Sequence, residues 1–429
     1  MSALPRGWAY ASLGAVIELK YGKSLPKGDR KEGPHNVFGS NGIVGTNQSS
    51  LSSAPAIIVG RKGSFGEVTY SAEKCFPIDT TYYVDEFDVV EPHFCYSLLK
   101  HLPLKSLNRA TAIPGLNRED AYGLTFALPP LAEQKRIVVK LDALNAKSAR
   151  ARSELARIET LVSRCKQAVL SKAFSGELTR DWRRVASTTW PWRSEFWGDC
   201  GETLNGRAFP SGDYCDSGVR LLRPGNLGAS GDVFWNEKNS RFLPEKYAVE
   251  FPKHFIRGEA ILINLTAQSL EDQFLARACL SSASDEFMLN QRIGLFRPRN
   301  MMPKFCLFAL KSPRFRSFVD NGMNSGSLIQ HVHTKQLEQY KFDVPDIEEQ
   351  HEIVRRIESA FAKIDRLAKE AKRALELLGK LDEAILAKAF RGELVPQDEN
   401  DEPAVRLLAR IRAEREAAPK GKRGRGRNI

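Results

Sequence analysis

Along residues 137–169 the apolar and small positions alternate four and three apart: Ile137, Leu141, Leu144, Ser148, Ala151, Leu155, Ile158, Val162, Cys165 and Val169. The same alternation runs through Ile353, Ile357, Ala360, Ile364, Leu367, Ala371, Ala374, Leu378, Leu381 and Ile385. A 3.5-residue period keeps one stripe of a helix turned toward a partner, so both stretches are expected as long helices carrying a coiled-coil seam. Asp346 and Glu349 suit a capping box at the second helix start, and Gly176 and Gly392 stand where a left-handed residue would stop each helix. Some 43 helical residues at about 1.5 Å each make a rod of roughly 65 Å, far longer than a core helix needs. Outside these stretches the pattern changes. Residues 1–127 and 181–343 hold short β-like runs, such as Ala56-Ile57-Ile58-Val59 and Ala260-Ile261-Leu262-Ile263, punctuated by Gly, Pro and Asn. They read as two mixed α/β modules.

The chain is written twice. Residues 128–178 align without a gap on residues 344–394, with 19 of 51 positions identical. Shared residues include Pro129/Pro345, Glu133-Gln134/Glu349-Gln350 and the closing Lys172-Ala173-Phe174-x-Gly176-Glu177-Leu178 against Lys388-Ala389-Phe390-x-Gly392-Glu393-Leu394. A fainter echo precedes each half, where Trp8, Gly14, Glu18, Gly22, Lys23 and Pro26 recur as Trp192, Gly198, Glu202, Gly206, Arg207 and Pro210. The expected organisation is module 1–127, helix 128–180, module 181–343, helix 344–395, and a final segment 396–429 comprising an acidic linker, a short helix and a basic tail. Residues 128–180 hold eleven basic and five acidic side chains, whereas residues 344–403 hold ten and fifteen. Opposite charge favours pairing of the two helices with each other, antiparallel about their middles, so that Leu155 meets Leu367. Two solvated helices, each packed on its own module, are the competing arrangement.

Composition narrows the class. With 42% apolar and 27% charged residues, the 429-residue chain can build two or three cores. No apolar run is long enough to span a bilayer and the first residues lack a signal-peptide pattern, so the expected place is the cytosol with no membrane partner. Seven widely spaced cysteines without a Cys-x-x-Cys pair suit reduced, mostly buried thiols. The formal charge of +12 invites a nucleic-acid reading. Yet residues 404–429 hold nine basic and two acidic side chains, so more than half of the excess sits in the tail around Lys420-Gly421-Lys422-Arg423. The modules themselves are nearly neutral.

Catalytic patterns fail one by one. There is neither an Asn-Pro-Pro-Tyr-like loop nor a cofactor glycine loop for a methyltransferase, and Gly22-Lys23-Ser24 lacks the upstream glycine of a phosphate-binding loop. Pro345-Asp346 with Glu370-x-Lys372 imitates a nuclease but lies along one helix. His331-Val332-His333 offers two imidazoles without a third ligand. No catalytic residue, metal or cofactor is therefore expected. Equipment for reading DNA does recur, since Arg, Asn and Gln pair with base edges while Lys and Ser hold phosphates. In the first module the candidates are Lys20, Tyr21, Lys23, Ser40, Asn41, Gly42, Arg61, Lys62 and Ser64. In the second they are Arg207, Arg220, Arg223, Asn226, Asn290, Gln291 and Arg292. Any one of these also suits a solvated loop, and Gly60 to Gly66 also reads as a hairpin turn.

Several motifs together resemble the specificity subunits of Type I restriction-modification systems. They are Leu128-Pro129-Pro130-Leu131-Ala132-Glu133-Gln134, the two Ala-Phe-x-Gly-Glu-Leu closures, Phe38-Gly39-Ser40-Asn41-Gly42, Val59-Gly60-Arg61-Lys62-Gly63-Ser64 and Pro77-Ile78-Asp79-Thr80-Thr81-Tyr82. The resemblance covers essentially the whole chain. It implies two target-recognition domains, each reading half of a bipartite site in double-stranded DNA, alternating with two long helices in an antiparallel coiled coil. It further implies a non-catalytic chain on which two methyltransferase (modification) subunits dock, joined by restriction and translocase subunits. The second module departs from the first where Ile113-Pro114-Gly115-Leu116 is replaced by Ile329-Gln330-His331-Val332. The competing function is a coiled-coil scaffold with two protein- or peptide-binding modules.

Overall fold

The computed structural model describes residues 4–88, 90–107, 114–186, 191–268, 274–322 and 330–417. Ile113, Ile329 and the basic tail lie outside the described residues.

In chain order the first module contains β1 (Ala9–Ser12), α1 (Leu13–Val16), β2 (Lys20–Tyr21), β3 (His35–Gly39), β4 (Gly42–Asn47), β5 (Ala56–Gly60), β6 (Val68–Ser71), β7 (Phe76–Pro77), β8 (Thr81–Val84), α2 (Pro92–His101), α3 (Arg118–Tyr122) and β9 (Thr125–Leu128). Helices α4 (Leu131–Ala156) and α5 (Ile158–Phe174) follow, divided at Arg157, and then the short α6 (Arg180–Ala186). The second module contains β10 (Arg193–Phe196), β11 (Gly201–Asn205), β12 (Val219–Leu222), β13 (Phe242–Leu243), α7 (Lys246–Glu250), β14 (Phe255–Arg257), β15 (Ile261–Asn264), β16 (Thr266–Ala267), β17 (Ala278–Leu280), β18 (Glu286–Leu289), β19 (Ile293–Pro298), α8 (Pro303–Leu310), α9 (Pro313–Asn321), β20 (Gln330–His331), α10 (Thr334–Glu338) and β21 (Lys341–Val344). Helix α11 (Ile347–Phe390) and α12 (Ala404–Ala417) complete the chain.

The two modules share one topology. A four-stranded sheet in the order β2-β8-β5-β6 is matched by β11-β19-β15-β17, and the pair β1-β9 by β10-β21. A parallel pairing of β3 with β7, flanked by antiparallel β4, is matched by β12 with β18, flanked by β13. Strand β5 is buried at every position, because its sheet is covered on both faces, which is why it reads as an unbroken apolar run.

The chain divides into two compact units, residues 1–155 with 373–429 and residues 156–372. Each is built around one module, one segment of α4 or α5, and part of α11. In the first unit Ile137, Val138 and Leu141 join Trp8, Phe94 and Ala389 in the core, closed by Ala404, Leu407 and Ile411 of α12. In the second, Leu170 and Ala173 join Phe305, Phe308, Ile353 and Ile357.

The repeated Glu-Gln pair explains itself in these cores. Glu133 accepts from the Trp8 indole (2.9 Å) and Glu349 from the Trp192 indole (2.9 Å). Gln134 accepts from the Glu91 N–H and donates to the Pro129 carbonyl, and Gln350 does the same with Met302 and Pro345. All four side chains are at most 1% exposed, so each helix start is pinned into its module by the same buried polar lock. Glu349 thus turns its carboxylate to Trp192, Thr179 and Arg183. Gly176 (φ 76°) and Gly392 (φ 74°) are left-handed and end α5 and α11, as expected.

The inward stripe of each long helix departs from the heptad. On α11 it runs Ile353, Ile357, Ala360, Ile364, Ala368, Ala371, Leu375, Leu378, Asp382, Ile385, Ala389, advancing 36 residues in ten steps. On α4 and α5 it follows Ile137, Leu141, Leu144, Ser148, Arg152, Leu155, Ile158, Val162, Lys166, Val169, Ala173, again 36 in ten. That is the 3.6-residue repeat of an ordinary α-helix and not the 3.5-residue repeat of a heptad seam. Leu367, expected on the seam, is 58% exposed, and Leu381 and Cys165 are exposed as well. The register also differs. Arg152 pairs with Asp382 (2.6 Å) and Lys166 with Asp365 (2.5 Å), whereas a register centred on Leu155 and Leu367 would set Arg152 opposite Glu370.

His101 stacks on Phe390 (4.7 Å between centroids), and burial, with Arg391 nearby, lowers its pKa. Burial likewise lowers His254 and His331. An unfolded histidine titrates near 6.5, so below that pH the unfolded chain takes up protons that the folded rings resist, and stability falls as pH drops. Thermal melts at pH 7.5 and 5.5 should show a lower midpoint at pH 5.5, with a smaller difference in His101→Gln. An equal difference would remove His101 from this account.

Candidate nucleic-acid interface

One edge of each module is assembled by the same main-chain hydrogen bonds. In the first, Gly22 N–H donates to Thr81, Lys23 to Pro77, Arg61 to Thr80, Leu116 to Arg61 and Ile78 to Phe38. In the second, Gly206 donates to Ile293, Arg207 to Leu289, Leu265 to Arg292, Val332 to Leu265 and Asn290 to Leu222. The ten distances lie between 2.8 and 3.3 Å. A Cβ on Gly22 would stand 2.1 Å from the Ile78 carbonyl oxygen, and one on Gly206 1.9 Å from that of Asn290, so only glycine lets the strands approach. The divergent loop keeps its place too: the bridge of Lys62 with Gly115 is matched by that of Thr266 with His331.

On this shared frame the side chains differ. Tyr21 stands where the second module has Asn205, Lys23 where it has Arg207, Arg61 where it has Leu265, Lys62 where it has Thr266, Asp79 where it has Gln291 and Gly115 where it has His331.

In the first module Tyr21 is 50% exposed and is flanked by the guanidiniums of Arg61 (5.5 Å) and Arg118 (5.0 Å). Its ring meets Tyr82 edge-on at 5.0 Å, and burial, then Tyr21, pushes the Tyr82 hydroxyl up to about 12, so it stays protonated. Arg61 is held by its Nε donating to the Asp79 carbonyl (3.1 Å). Lys23, Lys62, Ser64 and Asn41 are exposed, and Ser40 with Gly42 forms the β3–β4 turn beside the Gly60 loop. Lys20 is not part of this group. Its ammonium is paired with Asp85 (2.8 Å) and Glu86 (2.6 Å), and although burial opposes charge, these bonds hold its pKa above the ordinary lysine range.

In the second module Arg207, Gln291 and Arg292 are exposed, with Arg207 3.9 Å over the Phe251 ring. Asn226 is fully buried, accepting from the Arg223 N–H (2.9 Å) and donating to the Phe234 carbonyl. Asn290 is 8% exposed and accepts from the Arg292 N–H. Both shape loops, so their amides are engaged within the domain. Arg220 lies over the Trp235 ring (5.3 Å) and Arg223 over Tyr214 (6.0 Å). Arg118 and Trp235 are not among the candidates named from the sequence, whereas His331 is named there only as an imidazole beside His333 and Asp79 only within a shared motif. Arg118 was legible in one respect, since it directly follows Gly115-Leu116-Asn117, and Asn117 caps α3 through the N–H of Glu119 (2.8 Å).

Among the described residues no three His, Cys, Asp or Glu side chains are grouped as a metal ion would require, and no helix is long and apolar enough to cross a membrane. Burial pushes the Cys279 thiol up to about 12 and the Cys200 thiol up to about 11, so both stay protonated at neutral pH.

Known proteins share this organisation. A family model described as the Type I restriction modification DNA specificity domain matches residues 5–160 and 192–377. The chain is 26% identical over 435 residues to the specificity subunit of the Type I restriction enzyme EcoDI of Escherichia coli, covering 97% of each. It is 31% identical over 340 residues to the EcoKI specificity subunit of Escherichia coli strain K12, covering 76% of this chain and 71% of that one. Among solved structures, the HsdS subunit of Thermoanaerobacter tengcongensis aligns over 91% of this chain and 98% of its own, with a TM-score of 0.57 and 19% identity. A chain from a structure on complex assembly and conformational transition of the type I R-M system aligns with a TM-score of 0.64 and 18% identity, over 92% of this chain and 100% of its own. The duplicated fold and the family match together place this chain in the family of DNA sequence-specificity subunits of Type I restriction-modification systems.

Proposed function

We propose that residues 1–127 and 181–343 are target-recognition domains, each reading one half of a bipartite site in double-stranded DNA. The observation that carries this is the duplicated edge, where one set of main-chain bonds presents two different sets of side chains. A protein that must read two unlike half-sites needs a constant scaffold with exchanged contacts. In the first domain Arg61 and Lys62 supply donors suited to guanine or phosphate, and Asp79 an acceptor suited to the cytosine amine. In the second, Gln291 suits adenine, Arg207 and Arg292 suit guanine or phosphate, and Thr266 or His331 suits either edge.

The long helices act as the spacer. They pair antiparallel as a two-helix rod, supported by the 44-residue length of α11, by Arg152 with Asp382, and by Lys166 with Asp365. They also carry two methyltransferase subunits, which supply catalysis, with restriction and translocase subunits completing a cytoplasmic complex. This chain itself reads sequence and contributes no catalytic group.

Exchanging residues 181–343 for the matching block of a relative tests the reading through sequencing of methylated bases in cells carrying the complex. One half-site should change and the other stay. A change in both halves, or in neither, would overturn it.

A further inference from the structure

Strands β3 and β4 of the first domain are joined by the turn Ser40-Asn41, whereas their counterparts β12 and β13 are separated by residues 223–241. This insertion leaves the frame at the same edge, directly after Leu222, whose carbonyl accepts from the Asn290 N–H. It is internally braced. Buried Asn226 exchanges main-chain and side-chain bonds with Phe234, Asn239 donates to the Gly225 carbonyl, and the Leu280 N–H donates to the Gly231 carbonyl. Its effect is to lay Trp235 beside Arg220 and to open a cleft of about 680 Å³.

That volume lies within the range of about 300–1,000 Å³ typical of small-ligand sites. The cleft is lined by Trp235, Tyr214, Arg220, Arg241 and Asn236, with Asp216 and Glu237 also on its wall. Trp235 packs on the core through Phe287 (6.3 Å), while its indole N–H is shielded from water and has no hydrogen-bond partner among the described residues. Arg241 is steadied by donating to the Ser240 carbonyl (2.6 Å). The guanidinium of Arg220 is exposed and has no hydrogen-bond or ion-pair partner among the described residues, only the Trp235 ring.

Shape decides what such a cleft can take. Base edges of a stacked duplex lie inside a groove and are read by protein parts that protrude into it. A concave slot beside an aromatic ring instead accepts a base that has left the stack, as enzymes and single-strand binders do with aromatic and arginine side chains. The mixed lining separates a base from a bare phosphate. Asp216 and Glu237 would repel an anion, but together with Asn236 and Arg241 they match a base edge that carries both donors and acceptors.

We propose that this cleft holds a nucleobase turned out of the duplex at the half-site read by the second domain, packed against Trp235 and Arg220. The inference rests on the specificity reading above and adds a recognition element that the first domain lacks.

The test uses the full chain assembled with its modification subunits. The probe is a duplex carrying the methylated site, with 2-aminopurine placed at one position at a time in the half-site assigned to residues 181–343. One position other than the methylated base should brighten severalfold on binding. Trp235→Ala and Arg220→Gln should abolish that rise and weaken binding at least tenfold, while Trp235→Phe, which keeps an aromatic ring and the core contact, should retain part of it. No brightening at any such position, or brightening untouched in Trp235→Ala and Arg220→Gln, would overturn the cleft assignment. A wild-type complex that methylates no specific bipartite site would overturn the specificity reading instead.

Discussion

Replacing Glu349 with alanine is expected to destabilise the second unit by about 3–5 kcal/mol, the cost of breaking a buried ion pair by removing one partner. The Glu349 side chain is 1% exposed and pairs with Arg183, itself 10% exposed, besides accepting from the Trp192 indole and the Thr179 hydroxyl. Truncation would remove the carboxylate that balances Arg183, which keeps its bonds to the Thr179 hydroxyl and the Gly176 carbonyl, together with the acceptor that Glu349 gives the Trp192 indole and the Thr179 hydroxyl. The matching change at Glu133 is expected to cost less, about 1–3 kcal/mol, because its partners Trp8 and Gln397 are neutral donors and Arg136 pairs with Asp401 instead. Hydrogen exchange would localise each loss. Glu349→Ala should deprotect amides of residues 191–268 and 347–372, and Glu133→Ala those of the first unit. Equal losses in the two variants would show that the Arg183 charge contributes nothing.

The second large effect concerns reading itself. Arg61→Gln and Gln291→Ala alter equivalent edges of two domains, and each lost bidentate base contact is expected to reduce discrimination by about 1–3 kcal/mol, or roughly five- to 150-fold. Methylated-base sequencing should show one relaxed position in the first half-site for Arg61→Gln and one in the second for Gln291→Ala. Lys20→Gln serves as the contrast, since its ammonium is already paired with Asp85 and Glu86, and it should leave the sequence read unchanged. Relaxation in the half-site of the other domain would refute the assignment of edges to halves.

Much of the architecture is legible from residues alone because it is carried by repetition and periodicity. A gapless repeat of 51 positions announces two copies of one helix, and glycines at 176 and 392 mark its ends by the backbone conformation they permit. The paired Trp8/Trp192 and Glu133/Glu349 were visible as matches, although nothing in their spacing said that each tryptophan reaches across more than a hundred residues to its glutamate.

Other features depend on where distant segments meet. The 3.5 and 3.6 periods differ by about one residue in ten turns, too little for the apolar pattern alone to show that Leu367 faces water while Ala368 is partly buried. Local sequence could not distinguish Asn226, an amide that shapes a loop from inside, from Gln291, an amide at the open edge, because each stands within three residues of an arginine in a Gly- or Asn-containing turn. It also could not bring Trp235 onto Arg220, since that contact exists only once an insertion has folded back on its own strand. The amino-acid sequence by itself determined the duplication, the helices and the family, which are properties of pattern along the chain. The tertiary structure decided which side chains are presented and which are consumed within the fold, because exposure and hydrogen-bond partners are set by contacts between residues far apart in sequence.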